Sequence, residues 1–283
     1  MTDVTIQRLG HLGDGIAHGP LYVPGALPGE VVTGQRDGDV LKDVKIVTPS
    51  DARVKPPCSH ARSCGGCQLQ HASDAFVAEW KRDVVRQALG AHGISVDLEL
   101  PITSPPQSRR RASFSVRRTK KGALAGFHMK GSDTIISVPH CQLVHPDLTA
   151  ALPMVEALGA LGASRKGELS VLLTRTDTGL DVSVTGGKEM DVALHQALAD
   201  LAREYDLARI AWDREVALQR RAPVLTVGEA EVSPPSGAFL QATQEGEAAL
   251  IAAVKEALIK PKAVLDLFAG CGTFALPLAK TAP

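Results

Sequence analysis

The chain has 283 residues, 44% of them hydrophobic, which is enough for two ordinary domains or one large one with a sizeable core. Aromatics are only 4%, so that core must be aliphatic, and 31 Lys and Arg balance 31 Asp and Glu, so any nucleic-acid contact has to come from local clusters of charge. No apolar run is long enough to span a bilayer, and the N-terminal MTDVTIQRLG has no basic segment followed by an apolar stretch. This pattern argues against a membrane partner and for a cytoplasmic protein. In a reducing compartment five cysteines are read as metal, cluster or catalytic residues rather than a disulfide framework.

Residues 1–50 carry short apolar stretches (Val4–Ile6, Leu21–Val23, Val31–Val32, Val44–Val47) punctuated by glycines. Strands this short between turns this frequent predict a small β-barrel. Residues 49–72 are loop-like and hold Pro49, Pro56, Pro57 and three cysteines. A helix is predicted from about 74 to 89, capped by Ser73 or Asp74, with Phe76, Trp80, Val84 and Ala88 on one face and Gly90 at its end.

Residues 51–228 form a second region, α+β in its main part. Leu169, Val171 and Leu173 alternate, Asp177-Thr178-Gly179 is a turn, and Leu180, Val182 and Val184 alternate again, which predicts a hairpin. A helix over about 190–204 and strands at Ala208–Trp212 and Val224–Val227 complete it. The last region, 229–283, begins with the Pro/Gly-containing SPPSGAFLQA and continues with a helix over about 244–258 that Thr243 can cap. An apolar strand, Ala263–Phe268, then runs into Ala269-Gly270-Cys271-Gly272. Strand, glycine turn and helix start are how a doubly wound α/β domain opens its cofactor site, and a nicotinamide cofactor would use a similar turn. Cys271 reads as a small residue of that loop.

Cys58, Cys64 and Cys67 are spaced C-x5-C-x2-C, and Cys141 follows at a distance in PHCQLVHP. Four thiolates converging on one point suit a [4Fe-4S] cluster, and Gly65-Gly66 lets backbone amides approach its sulfides. An all-thiolate zinc site is the alternative, although such sites more often show two close pairs. Residues 109–121, RRRASFSVRRTKK, hold seven positive charges and no acid. Ala112, Phe114 and Val116 alternate with polar residues as on a half-buried strand. The other row would present Arg109, Arg111, Ser113, Ser115 and Arg117 to phosphates; a solvated, aggregation-blunting edge is the alternative. From this run Arg109, Arg110, Arg111, Arg117 and Arg118 are taken as RNA-binding.

Together these residues resemble the RNA uridine-C5 methyltransferase family, and within it the iron–sulfur enzymes acting on large-subunit ribosomal RNA. IQRLGHLGDGIAH and YVPGALPGEVV look like the family's TRAM domain, an OB-type RNA-binding barrel. Cys58, Cys64, Cys67 and Cys141 match the cluster ligands. GAFLQAT resembles the stretch with a cofactor-contacting glutamine, here Gln241. VLDLFAGCGTFALPLA matches the methyl-donor motif, in which Phe268, Gly270, Gly272 and Thr273 line the S-adenosylmethionine site. Thr243 and Thr273 stand where the family often has Asn. The resemblance implies three parts: an OB/TRAM-like barrel (1–50), an iron–sulfur and RNA-binding α+β domain (51–228), and the start of a Rossmann-like methyltransferase domain (229–283). It also implies a monomer that uses S-adenosylmethionine and a [4Fe-4S] cluster and acts on ribosomal RNA. In the family a cysteine thiolate adds to uracil C6, C5 takes the methyl group, and a base removes the C5 proton. That cysteine and that base lie beyond the donor motif in the family, so the resemblance implies a C-terminally truncated chain, inactive alone. An RNA-binding module without catalysis, or an iron–sulfur oxidoreductase with a nucleotide cofactor, are the competing readings.

Overall fold

The computed structural model describes residues 3–259 and 261–279. Its contacts divide the chain into two units, residues 1–103 and 104–283.

The first unit is built on a closed barrel of five strands, in the order β1-β2-β3-β5-β4. They are β1 (Val4–Leu9), β2 (Gly15–Ala17), β3 (Leu21–Val23), β4 (Val31–Asp37) and β5 (Val40–Thr48). All neighbours pair antiparallel except β3 and β5, which are parallel. Closure leaves no open sheet edge. Ile6, Ala17, Leu21, Val23, Ala26, Val32 and Leu41 fill the interior, with Val4, Val44 and Ile46 half-buried against them. The predicted helix is α1 (Asp74–Gly90); the Ser73 side chain accepts the Phe76 amide as N-cap, and Ala91 is the C-cap residue. A second cluster of Leu9, Leu27 and Ala72, with Leu69, Phe76, Val77 and Trp80, packs the cysteine loop and α1 onto the barrel. The contact boundary therefore falls at 103/104, and the cysteine loop travels with the barrel.

The second unit is a seven-stranded sheet in the order β12-β11-β10-β9-β6-β7-β8. Its strands are β6 (Arg111–Thr119), β7 (Gly122–His128), β8 (Ile135–Ile136), β9 (Glu168–Thr176), β10 (Gly179–Thr185), β11 (Arg209–Trp212) and β12 (Glu215–Gln219). Neighbours are antiparallel except β10 and β11, which run parallel and are joined by a crossover through α4 (Val192–Glu204). The helices α2 (Pro146–Ala150) and α3 (Leu152–Gly162) lie between β8 and β9 in the chain. The core holds Phe114, Val116, Leu169, Val171, Leu173, Val182 and Val184 from the strands. Met154, Val155, Leu158, Leu194 and Leu198 from α3 and α4 complete it, all at most 2% exposed. Phe114 and Phe127 stack with ring centroids 5.0 Å apart. The predicted hairpin and the 190–204 helix are present, the helix capped by Asp191.

The chain continues through a small hairpin, β13 (Leu225–Val227) and β14 (Ala230–Val232), then α5 (Gln244–Ala257), capped by Thr243, and the single turn α6 (Ala275–Leu278). The expected strand Ala263–Phe268 is not formed. Leu265, Leu267 and Phe268 are 81%, 70% and 103% exposed, so the start of a Rossmann-like sheet expected there is corrected to an irregular segment. A strand needs a hydrogen-bonded neighbour, and residues 261–268 find none among the described residues. Among those residues no helix is long and apolar enough to cross a membrane.

Candidate functional site

The loop that leads into α5, SPPSGAFLQAT, is tied to the sheet by arginines that point their donors at its carbonyls. Arg209 is buried, forks onto Asp181 at 2.9 and 2.8 Å, and donates a further 2.8 Å bond to the Pro234 carbonyl. Arg110 donates through Nε to the Gln241 carbonyl at 3.1 Å and through its backbone amide to the Ala242 carbonyl at 2.9 Å. Arg111 reaches the Leu240 carbonyl at 3.5 Å, and its guanidinium lies over the Phe239 ring, 5.7 Å from the centroid. Burial and the neighbouring Arg109 and Arg110 charges lower the Arg111 pKa. Phe239 remains 75% exposed, so the loop is pinned while its aromatic ring stays available.

Glu247 closes the site from below. It lies one turn into α5 at 6% exposure, and its Oε1 stands 3.1 Å from Arg110 Nη2 and accepts the Thr273 hydroxyl at 3.4 Å. Gln241, Arg110, Glu247 and Thr273 therefore form one continuous chain of polar contacts. Thr243 caps α5 by accepting the Gly246 amide at 3.0 Å and meets the Ser104 hydroxyl at 2.6 Å. In the glycine segment Gly270 and Gly272 have φ of 59° and 83°, left-handed values that suit glycine, and Gly272 donates to the Ala269 carbonyl. Asp266 accepts the Ala275 amide at 3.1 Å and so starts α6. Phe268 also has a left-handed φ of 61° but is fully exposed and touches none of these groups.

Of the expected RNA-binding arginines, Arg110 is corrected. It is 3% exposed, because its position falls in the inward row with Ala112, Phe114 and Val116. Arg117 faces outward but is compensated. Its Nε lies 2.8 Å from Glu168, whose carboxyl, although burial opposes this, is held below its usual range by hydrogen bonds from Ser115 and His128 and by the Arg117 and His128 charges. Arg109 donates to the Arg111 carbonyl at 3.2 Å. Arg118 is exposed, at the end of β6. The Ser113 and Ser170 hydroxyls, 2.8 Å apart, mark the sheet face that the helices leave open.

Cys58 and Cys141 are buried, and Cys64 and Cys67 half-buried, none of them in a disulfide. The Gly66 amide donates to Cys64 Sγ and the Leu143 amide to Cys141 Sγ, each at 3.4 Å, the contact that stabilises a ligating thiolate. Among the described residues no three His, Cys, Asp or Glu side chains are gathered closely enough to hold a metal ion. The donors thus fit a thiolate-bound centre in kind, while their gathering is not seen. Glu247, Arg209 and Asp181 went unnoticed in the sequence. Their partners lie 137, 28 and 28 positions away by numbering, and no local pattern announces them.

The second unit thus combines a glycine turn, a buried Arg–Glu pair and a loop with an exposed aromatic ring, and the first unit is a small β-barrel. No family model matches the chain. It is 38% identical over 280 residues to an uncharacterized RNA methyltransferase of Brucella suis, covering 98% of this chain and 68% of that protein. A comparable uncharacterized RNA methyltransferase of Caulobacter vibrioides is also 38% identical, over 296 residues and 71% of its length. The 23S rRNA (uracil(1939)-C(5))-methyltransferase RlmD of Vibrio cholerae is 33% identical over 99% of this chain and 67% of its own. The chain belongs to the RNA methyltransferase family. The crystal structure of Pyrococcus abyssi tRNA (uracil-54, C5)-methyltransferase with S-adenosyl-L-homocysteine shares its fold, with a TM-score of 0.73 at 20% identity over 99% of this chain and 70% of that one.

Proposed function

We propose that this RNA methyltransferase acts on C5 of a uridine in ribosomal RNA, with S-adenosylmethionine as methyl donor and a [4Fe-4S] cluster on Cys58, Cys64, Cys67 and Cys141. The observation that carries the target class is the 33% identity to the Vibrio cholerae 23S rRNA uracil-C5 enzyme along 99% of the chain. When bound, S-adenosylmethionine supplies an electrophilic methyl group. The chain's own part is orientation. Glu247 holds Arg110 and Thr273 together, and Arg110 fixes the Gln241 backbone, so that the Gln241 side chain and the Gly270–Gly272 backbone face the donor from a rigid support. Phe239, exposed and backed by Arg111, offers a face on which an unstacked base can rest. Arg109, Arg111 and Arg118 contact the RNA backbone, whereas Arg117, expected to do the same, is held by Glu168. The cluster's role is structural.

The test is disruption of the gene in its own organism, followed by nuclease digestion and mass spectrometry of ribosomal and transfer RNA. Loss of one 5-methyluridine from the large-subunit rRNA is the expected result. Unchanged 5-methyluridine in both RNA classes would overturn the reading, and loss from tRNA alone would replace the substrate.

A further inference from the structure

The cations that the sequence assigns to phosphate are unequally available. Arg110 is buried against Glu247, Arg111 is tethered to the Leu240 carbonyl, and Arg117 is neutralised by Glu168. The charge left over lies at the other end of β6. There, the β6–β7 hairpin and the end of α3 enclose an open cavity of about 690 Å³, lined by Arg118, Thr119, Lys120, Lys121, Gly122, Ala160 and Arg165. Four cations and no acid face it. Its charged residues are exposed, and none of the four makes an ion pair among the described residues. Arg165 comes from outside the basic run, 44 positions beyond Lys121 by numbering, so the cluster is assembled by the fold rather than inherited from a stretch of sequence.

We infer that this cavity is a second RNA-backbone site that holds phosphates at a distance from the donor-binding loop. The inference rests on the proposed RNA substrate. Four like charges around one concavity repel one another, a cost that polyanion binding removes and that counterion release turns into affinity. Thr119 adds a neutral hydroxyl, and the guanidiniums of Arg118 and Arg165 give the forked geometry that phosphate oxygens accept. The place matters as much as the charge. Eight residues of extended strand separate Arg111, beside the Leu240–Gln241 loop, from Thr119, a span of about 26 Å. An RNA held at both ends must therefore lie along β6 over several nucleotides, and a short oligonucleotide could fill only one end. The second site registers the RNA without reading its sequence.

The experiment measures binding of a fluorescein-labelled 40-nucleotide stem–loop RNA and of a labelled tetrauridylate to the whole chain between about 50 and 300 mM KCl. The variants are K120Q/K121Q/R165Q and the charge-keeping K120R/K121R/R165K; all three side chains are exposed, so the fold is unaffected. For the stem–loop, the neutralised variant should lose roughly 2–3 units of salt slope and about a hundred-fold of affinity at 0.1 M salt. The charge-keeping variant should match the parent, and the tetrauridylate should lose at most half of that effect. An unchanged slope in the neutralised variant overturns the inference and leaves the RNA reading intact. A parent chain that binds neither RNA overturns both.

Discussion

Two buried acids show how single residues hold this protein together. Glu247 and Arg110 are 8% and 4% exposed at their side chains, so removing one leaves the other charged and unpaired in the interior. Glu247→Ala should cost about 3–5 kcal/mol, whereas Arg117→Ala, which breaks the half-exposed pair with Glu168, should cost under about 1 kcal/mol. Urea midpoints of the two variants check this difference; equal losses would mean that the buried pair is not a support of the site. Glu30 is the second case. Its side chain is fully buried beneath Arg53, and it accepts the Leu27 amide at 2.8 Å and the Ser50 amide at 3.2 Å. Burial opposes its ionisation, but the Arg53 hydrogen bond and these amides prevail and lower its pKa below 4.5. A carboxylate whose folded pKa is lowered contributes stability that is complete above the unfolded value and fades as pH falls through the folded value. The stability gap between the parent and Glu30→Gln should therefore be constant near neutrality and narrow below about pH 4.5. A gap that stays constant to pH 3 would show that Glu30 titrates as it does in the unfolded chain.

At the scale of elements, close packing of helix on sheet decides what is tolerated. Trp212 of β11 donates its indole N–H to the Lys188 carbonyl at 2.9 Å and lies against Gly162 at the end of α3 and against Gly187. A Cβ at Gly162 would stand 2.1 Å from the ring. Gly162→Ala should destabilise the second unit by about 1–3 kcal/mol, read as a lowered thermal midpoint with loss of near-ultraviolet Trp signal. An unchanged midpoint would mean that the ring can shift at no cost. The cysteine loop gives the other prediction at this scale. Anaerobic purification should yield a brown protein with about four irons and four sulfides per chain, and Cys141→Ser should abolish both. A colourless protein with one zinc would replace the cluster with the tetrahedral alternative.

For the whole molecule, stability is unevenly spread. The barrel and the seven-stranded sheet bury their apolar faces, whereas residues 261–268 make no backbone hydrogen bond among the described residues and expose Leu265, Leu267 and Phe268. Hydrogen exchange should be complete there within seconds while β9 and β10 stay protected for hours. Protection of 261–268 equal to that of β9 would contradict this description. The exposed apolar row also explains why periodicity misleads at this place. Val264-Leu265-Asp266-Leu267-Phe268 has the composition of a buried parallel strand, but composition supplies no partner, and an unpaired strand has no ladder to form.

Local signals settle much of the architecture on their own. The alternation of Leu169, Val171 and Leu173, the turn at Asp177-Thr178-Gly179, and the caps Ser73 and Thr243 act within a few residues, so β9, β10, α1 and α5 were legible in the chain itself. The methyl-donor motif and the cysteine spacing are short patterns of the same local kind, and the functions they suggest remain the proposals made above. Three things were not legible in the chain. The fate of the arginine run depended on Glu247 of α5 and Glu168 of β9, acids that lie far along the chain and meet it only in the folded structure. The basic cavity required Arg165 to be carried beside the β6–β7 hairpin by α3. The absence of a strand at 263–268 required knowing that no neighbour comes to it. Sequence determines what lies within a turn or two, because those interactions are short in the chain; which charges are neutralised, which are gathered and which strands are paired is decided by contacts between distant segments, and only the tertiary structure contains those.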